Sequence, residues 1–190
     1  MTDFTKIALS MALEDLMRKK PFSEITIQDI ADRAGVNRQT FYYHFRNVYD
    51  LFSWSIERET GRFLKECEAG DFSLSQCLTF LILRIKKRRK VLINAYCSID
   101  SKTFQHYARM ILTPLSDAIT KCKVRDSEIS TENAEAIGSF VFNILSGYFY
   151  NWIEYGDSLD EAMVSKTIIF LERSLDAVVS YARMEKNYTR

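Results

Sequence analysis

Helix-breaking residues are scarce in this chain: its 190 residues include 2 prolines and 6 glycines. A β-sandwich or barrel turns roughly every 8–12 residues, and its turns draw heavily on glycine and proline. The apolar spacing agrees. Ile137, Phe140, Val141, Ile144, Leu145, Tyr148 and Trp152 recur at helical intervals over four turns. The pattern therefore predicts an all-α chain of about nine helices. Hydrophobic residues make up 47% and charged residues 27%, the balance of a globular protein with a sizeable core. No apolar run approaches the roughly 18 residues of a membrane span. The stretch from Met1 to Lys20 is studded with acids and bases and lacks the apolar centre of a signal peptide. These features predict a cytoplasmic protein without a membrane partner.

The chemistry-bearing residues exclude several classes. Cys67, Cys77, Cys97 and Cys122 form no CxxC pair, and His44 and His106 are the only histidines. A structural zinc site is not expected, and the cysteines are predicted to be free thiols packed as small apolar residues. No nucleophile–base pair, glycine-rich phosphate loop or metal spacing is present, so neither an enzyme nor a cofactor is expected. The net charge is +1, too small for global attraction to a polyanion. Charge is nevertheless uneven: Arg33, Arg38 and Arg46 share a stretch from 33 to 46 that holds no Asp or Glu. Salt screens charges beyond about 10 Å, so a local positive surface suffices for phosphate binding.

The first fifty residues carry dense helix punctuation. A helix is predicted from Thr2 to Lys19, with Ile7, Met11, Leu13 and Leu16 inward and Lys19, Lys20 and Pro21 ending it. Thr26 is an N-cap for the next helix, and Asp29 three residues on makes a capping-box pair. Gly35 supplies the positive φ that a helix C-terminus wants. Asn37 is a second N-cap, opening a short helix from Arg38 to Phe45, and Asn47 caps the helix after it. Two short helices joined by a tight Gly-Val turn, flanked by longer ones, outline a helix-turn-helix head.

The segment Ile25 to Phe45, ending in Thr40-Phe41-Tyr42-Tyr43-His44-Phe45, resembles the signature of TetR-type regulators. The resemblance implies a DNA-binding domain over residues 1–48 and a helical regulatory and dimerisation domain over 49–190. It implies a non-enzymatic transcriptional regulator that binds a palindromic double-stranded operator as a homodimer. The residues fit that role. A helix from Arg38 to Phe45 is about 12 Å long and fits the major groove. With Phe41 and Phe45 inward at i, i+4, Arg38, Gln39 and Thr40 face out. Arg38 then suits guanine, Gln39 adenine, and Thr40 a phosphate or a thymine methyl. Tyr42, Tyr43 and His44 suit phosphates, which fix register more than sequence. In relatives the Thr26 position also touches phosphate, and Gln28 lies close enough to do so. Many relatives carry a lysine where this chain has Val48, and Arg46 or Asn47 is expected to replace its phosphate contact.

Beyond the head, helices are predicted from Val48 to Glu68, Ser73 to Lys87, Val91 to Cys97, Lys102 to Val124 with a kink or break near Pro114, Thr131 to Tyr155 and Asp157 to Tyr188. Arg84 to Lys90 holds six basic residues in seven, which fits a solvated helix end better than a second DNA contact. On the last helix Val164, Ile168, Leu171, Leu175 and Val178 alternate steps of four and three. With Ile144 and Tyr148 they are the expected dimer contact. If a small-molecule effector binds, its expected wall is Tyr96, Phe104, Tyr107, Met110, Phe149 and Trp152, with His106 a further polar handle, although each of the six taken singly reads first as core. Gly147 to Ile153 also resembles a subgroup that includes dihydroxyacetone kinase operon regulators. That resemblance implies a metabolite-carrying protein partner as the input instead of a diffusible ligand. Both inputs stay open here, as activator or repressor.

Overall fold

The computed structural model describes residues 2–70, 73–125, 128–155 and 161–188, with side chains described for 4–70, 73–125, 128–155 and 165–184. Among the described residues there are nine α-helices, one 3-10 turn and no strand. In chain order they are α1 (Thr2–Met17), the 3-10 turn (Phe22–Glu24), α2 (Ile27–Ala34), α3 (Arg38–His44) and α4 (Val48–Ala69). Then come α5 (Leu74–Lys87), α6 (Arg89–Ser98), α7 (Ser101–Val124), α8 (Thr131–Tyr155) and α9 (Glu161–Tyr188). Residues 157–160, expected to open the last helix, lie outside the described residues.

The chain forms two compact units. The first comprises residues 1–61 and 88–110, and the second residues 62–87 and 111–190. In the first, Leu9, Ile30, Phe41 and Leu51 are fully buried, so α1, α2, α3 and α4 share one apolar centre. Phe22 adds edge-on contact with Tyr49 at 5.1 Å and meets Phe52 at 5.2 Å.

The end of α1 differs from expectation. Its last turn contains no base, so Lys19 and Lys20 are not the cations that stop it. Asn94 of α6 does that work. Its Nδ2 donates to the carbonyls of Met17 at 2.6 Å and Lys20 at 2.7 Å. Its Oδ1 accepts from the Phe22 amide at 2.8 Å and from the Ser98 hydroxyl at 3.0 Å. Helix-end carbonyls need partners, and here one amide supplies them from 74 and 77 residues away. Asn94→Ala is expected to cost about 2 kcal/mol in chemical denaturation, because it strands partly buried backbone groups. Asn94→Asp, which turns a carboxylate onto two carbonyls, recovers none of that loss.

Two arginines of the basic run are folded inward. Arg88 pairs with Glu14 at 3.4 Å and Glu59 at 2.8 Å, and Arg84 pairs with Glu66 at 2.7 Å while covering the Phe80 ring. These arginines hold helices together rather than presenting a second DNA face.

In the second unit α7 runs through Pro114 as one helix, so of the expected kink or break there is no break. The buried Ser116 hydroxyl donates to the Gly138 carbonyl at 2.9 Å, tying α7 to α8. Ile137, Val141, Leu145 and Trp152 point inward as expected, joined by Phe149. Ile168, Leu171 and Leu175 of α9 are 5%, 6% and 0% exposed. That corrects their assignment as dimer contacts: the row is consumed by the unit's own core. Val178 and Ile144 are half-buried, Tyr148 is exposed, and Val164 lies outside the described side chains. Cys67 and Cys77 are half-buried, whereas Cys97 and Cys122 are exposed and so do not serve as core. Burial first, then the adjacent Cys77, pushes the Cys67 thiol up to about 12, far from a reactive thiolate.

Candidate nucleic-acid interface

Local chemistry builds the head as its punctuation predicts. The Thr26 hydroxyl accepts from the Asp29 amide at 3.1 Å, and Asp29 accepts from the Thr26 amide at 2.8 Å. This reciprocal box starts α2 and satisfies two otherwise unpaired N–H groups. Lys20 also reaches Asp29 at 2.7 Å. The Lys20 ammonium, then the Thr26 hydroxyl and amide, hold the Asp29 carboxyl at about 2. The box is thus ionised at any pH above the usual carboxylate range and is lost only as the medium turns strongly acidic.

Gly35 has φ +70°, and the Gly35 and Val36 amides return to the Asp32 and Ala31 carbonyls at 3.2 and 3.0 Å. This Schellman closure turns the chain tightly out of α2, and glycine is the residue that adopts that φ without strain. Two residues later the Asn37 side chain accepts from the Thr40 amide at 2.7 Å and the Thr40 hydroxyl at 2.9 Å. α3 starts there and lasts seven residues, ending before Phe45, about 10 Å of helix.

The two faces of α3 separate cleanly. Phe41 is 0% and Phe45 4% exposed, while Tyr43 is 78% and Tyr42 49% exposed. Asn37, Arg38 and Gln39 are exposed, and Thr40 and His44 are half-buried. Arg38 lies over the Tyr42 ring, 5.5 Å from its centroid, and donates to the Tyr42 hydroxyl at 3.1 Å. Tyr43 and His44 meet edge to face at 4.9 Å.

Several expected contacts are modified. Arg33 is turned away, bound to Asp15 of α1 at 2.5 Å, so it joins the helices of the head instead of adding to a positive surface. That guanidinium holds the Asp15 carboxyl below its ordinary range. Gln28 spends its amide on Asp32 at 2.7 Å. Asn47 is committed to capping α4, accepting from the Asp50 amide at 2.9 Å. Of the two substitutes for the lysine at Val48, only Arg46 keeps its head group out. Its side chain is 87% exposed and meets Asp50 at a loose 3.4 Å. No local pattern points to Lys6, whose ammonium lies over the Phe45 and Trp54 rings at 5.9 and 5.8 Å. It brings a further cation to the end of α3.

The expected effector residues divide between the units: Tyr96, Phe104, Tyr107 and Met110 belong to the first, Phe149 and Trp152 to the second. Tyr96 meets Phe104 edge to face at 5.1 Å, and Tyr107 meets Phe52 at 4.8 Å. The Tyr107 hydroxyl donates to the Tyr49 carbonyl at 3.4 Å, and burial pushes its phenol up. His106 is exposed.

A short helix capped by Asn37, seated on buried Phe41 and Phe45 and presenting arginine, glutamine and tyrosine behind a glycine-closed turn, defines a helix-turn-helix DNA-binding head. Residues 11–53 match the model of the bacterial regulatory proteins of the tetR family. Over those residues the head is accordingly similar to that of tetR-family DNA-binding regulators. The HTH-type dhaKLM operon transcriptional activator DhaS of Lactococcus lactis subsp. lactis (strain IL1403) is 29% identical over 103 residues, which are 54% of this chain and 54% of DhaS. The match thus spans about half the length of that curated relative. Among solved structures, the dihydroxyacetone kinase operon activator DhaS has a TM-score of 0.61 at 21% identity, covering 94% of this chain and 98% of that one. The regulator FadR of Bacillus subtilis, solved in complex with stearoyl-CoA, has a TM-score of 0.57 at 16% identity, covering 92% and 97%. These likenesses establish the fold over more than nine-tenths of the chain.

Proposed function

We propose that the chain binds a palindromic operator as a homodimer and that an effector controls its grip, most simply as a ligand-released repressor. Residues 1–48 serve as the DNA-binding module and residues 49–190 as the regulatory and dimerisation module. The observation that carries this reading is the outward set on α3: Arg38 and Gln39 exposed at its start, Tyr43 exposed toward its end, above a fully buried Phe41. Arg38 and Gln39 have the chemistry to read base edges. Tyr43, His44 and Arg46 have the chemistry to hold phosphates, and the Thr26, Gln28, Asn37, Thr40 and Tyr42 positions flank the same groove.

Binding of variants to a library of duplexes tests the assignment. Arg38→Ala and Gln39→Ala are expected to relax preference at one base position each, by about 1–3 kcal/mol. Tyr43→Phe and His44→Ala are expected to weaken all duplexes alike. The opposite pattern would reverse the roles.

Dimerisation belongs to a second row on α9. Phe170, Tyr181 and Met184 are 67%, 69% and 59% exposed, and the intervening Ser174 and Ala177 are exposed too. Their spacing of four and three places five residues in one outward seam, with small residues at its centre where two helices approach. On α8, Tyr148 is 48% exposed beside Gly147, where an added methyl would meet nothing within 4 Å.

Two inputs fit. A small molecule is favoured by the large aromatic residues within each unit, Tyr96, Phe104 and Tyr107 in the first and Phe149 and Trp152 in the second, and the similar FadR was solved with stearoyl-CoA. A protein partner is favoured by likeness to DhaS, an operon activator, and by the packing already made by Tyr96, Phe104 and Tyr107. Either effector must bind one state of the dimer better than the other, since equal affinity shifts nothing. A thermal-shift screen of metabolites against the full chain separates them: stabilisation by a small molecule alone supports the ligand.

A further inference from the structure

We infer that Tyr42 is a positioning residue for Arg38, so that these two side chains together read one base step. This deepens the DNA-binding reading and rests on it. The pair sits one helical turn apart on α3, and both residues are exposed. Two contacts hold the guanidinium: the face of the ring, 5.5 Å from its centroid, and the hydroxyl, which accepts a hydrogen bond at 3.1 Å. A free arginine on a helix surface samples many rotamers and loses that freedom when it binds. Here much of the loss is taken before DNA arrives, because the planar head is already stacked and bonded. One of its five N–H groups goes to Tyr42, and enough remain for the bidentate pair that guanine O6 and N7 accept.

Neighbouring cations are tied differently. Arg33 is bound to a carboxylate on α1, and Arg46 to one on α4. Arg38 alone of these three is held by a neutral phenol, which orients a cation without cancelling its charge. Tyr43, at 78% exposure, meets His44 edge to face and leaves its hydroxyl end outward. The two adjacent tyrosines therefore divide the labour: Tyr43 faces the phosphates and Tyr42 aims the arginine.

The experiment measures binding of the full chain to a duplex library for wild type, Tyr42→Phe, Tyr42→Leu, Arg38→Ala and the Arg38→Ala/Tyr42→Leu double variant. Wild type is expected to prefer its base at the Arg38 step by about tenfold or more. Tyr42→Phe, which keeps the ring and loses the hydroxyl, is expected to lose about threefold of that preference. Tyr42→Leu is expected to fall near Arg38→Ala at that step, with the change in the preference profile confined to that step. In the double variant the Tyr42 change adds nothing, as coupled residues require. A uniform loss on every duplex, with the profile unchanged, would make Tyr42 a phosphate contact and overturn the inference. So would full additivity with Arg38→Ala. A wild-type chain that selects no sequence would overturn the DNA-binding reading itself, an outcome distinct from either.

Discussion

Phe41→Ala is expected to lower the stability of the protein by about 3–5 kcal/mol, the cost of emptying a fully buried aromatic site. Phe41 has no exposed surface and its ring lies 6.0 Å from those of both Tyr42 and Phe45. It is the side chain on which the seven-residue α3 is seated. A helix that short has little stability of its own, so its form depends on packing and on the Asn37 cap. Removing the ring therefore does more than open a cavity; it frees the surface that carries Arg38 and Gln39. Chemical denaturation should report the loss in the midpoint, and sequence-specific DNA binding should fall with it. A variant that lost less than about 1 kcal/mol would mean that the head collapses around the gap or is held elsewhere.

The second large effect concerns assembly. Phe170→Glu together with Tyr181→Glu is expected to shift the chain from dimer to monomer in sedimentation, raising the dissociation constant at least about 100-fold. In the proposed dimer the two-fold axis would bring the new carboxylates of both subunits into one seam, where they would repel and have to shed water. Because Phe170 and Tyr181 are 67% and 69% exposed, protomer stability should change little. Specific DNA affinity should drop steeply, since a lone recognition helix reads too few bases. Leu175→Ala is the contrast. With no exposed surface, it should cost about 2–5 kcal/mol of folding stability before it affects association. A Phe170→Glu/Tyr181→Glu protein that remained dimeric would place the interface on another face.

The two α9 rows mark where sequence reading worked and where it stopped. Periodicity identified an apolar seam through Ile168, Leu171 and Leu175 but not which side of it faced solvent. The outward row was harder to see because Ser174 and Ala177 interrupt its large residues. Small residues read as neutral on a hydropathy pattern, yet they are what close helix packing uses.

The head was far more legible. Thr26, Asp29, Gly35 and Asn37 act through bonds spanning three to five residues, so the chain's local order contains the whole interaction. Asn94, Arg33 and Arg88 act on partners 18 to 77 residues away, and nothing near them in sequence announces it. Composition marked Arg33 and Arg88 as surface cations, and geometry makes them struts. The effector residues were the least legible of all. An aromatic residue on a helix looks the same whether it fills a core or walls a site, and Tyr107, bonded to Tyr49, has the contacts of a core residue.

The most direct measurement is selection of duplexes from a randomised library by the full-length chain, with the stoichiometry of the selected complex determined by sedimentation. The account predicts enrichment of a two-fold symmetric sequence, half-sites one or more helical turns apart, and two chains per duplex. Enrichment of an asymmetric site bound by a single chain, or no enrichment over bulk DNA, would contradict it.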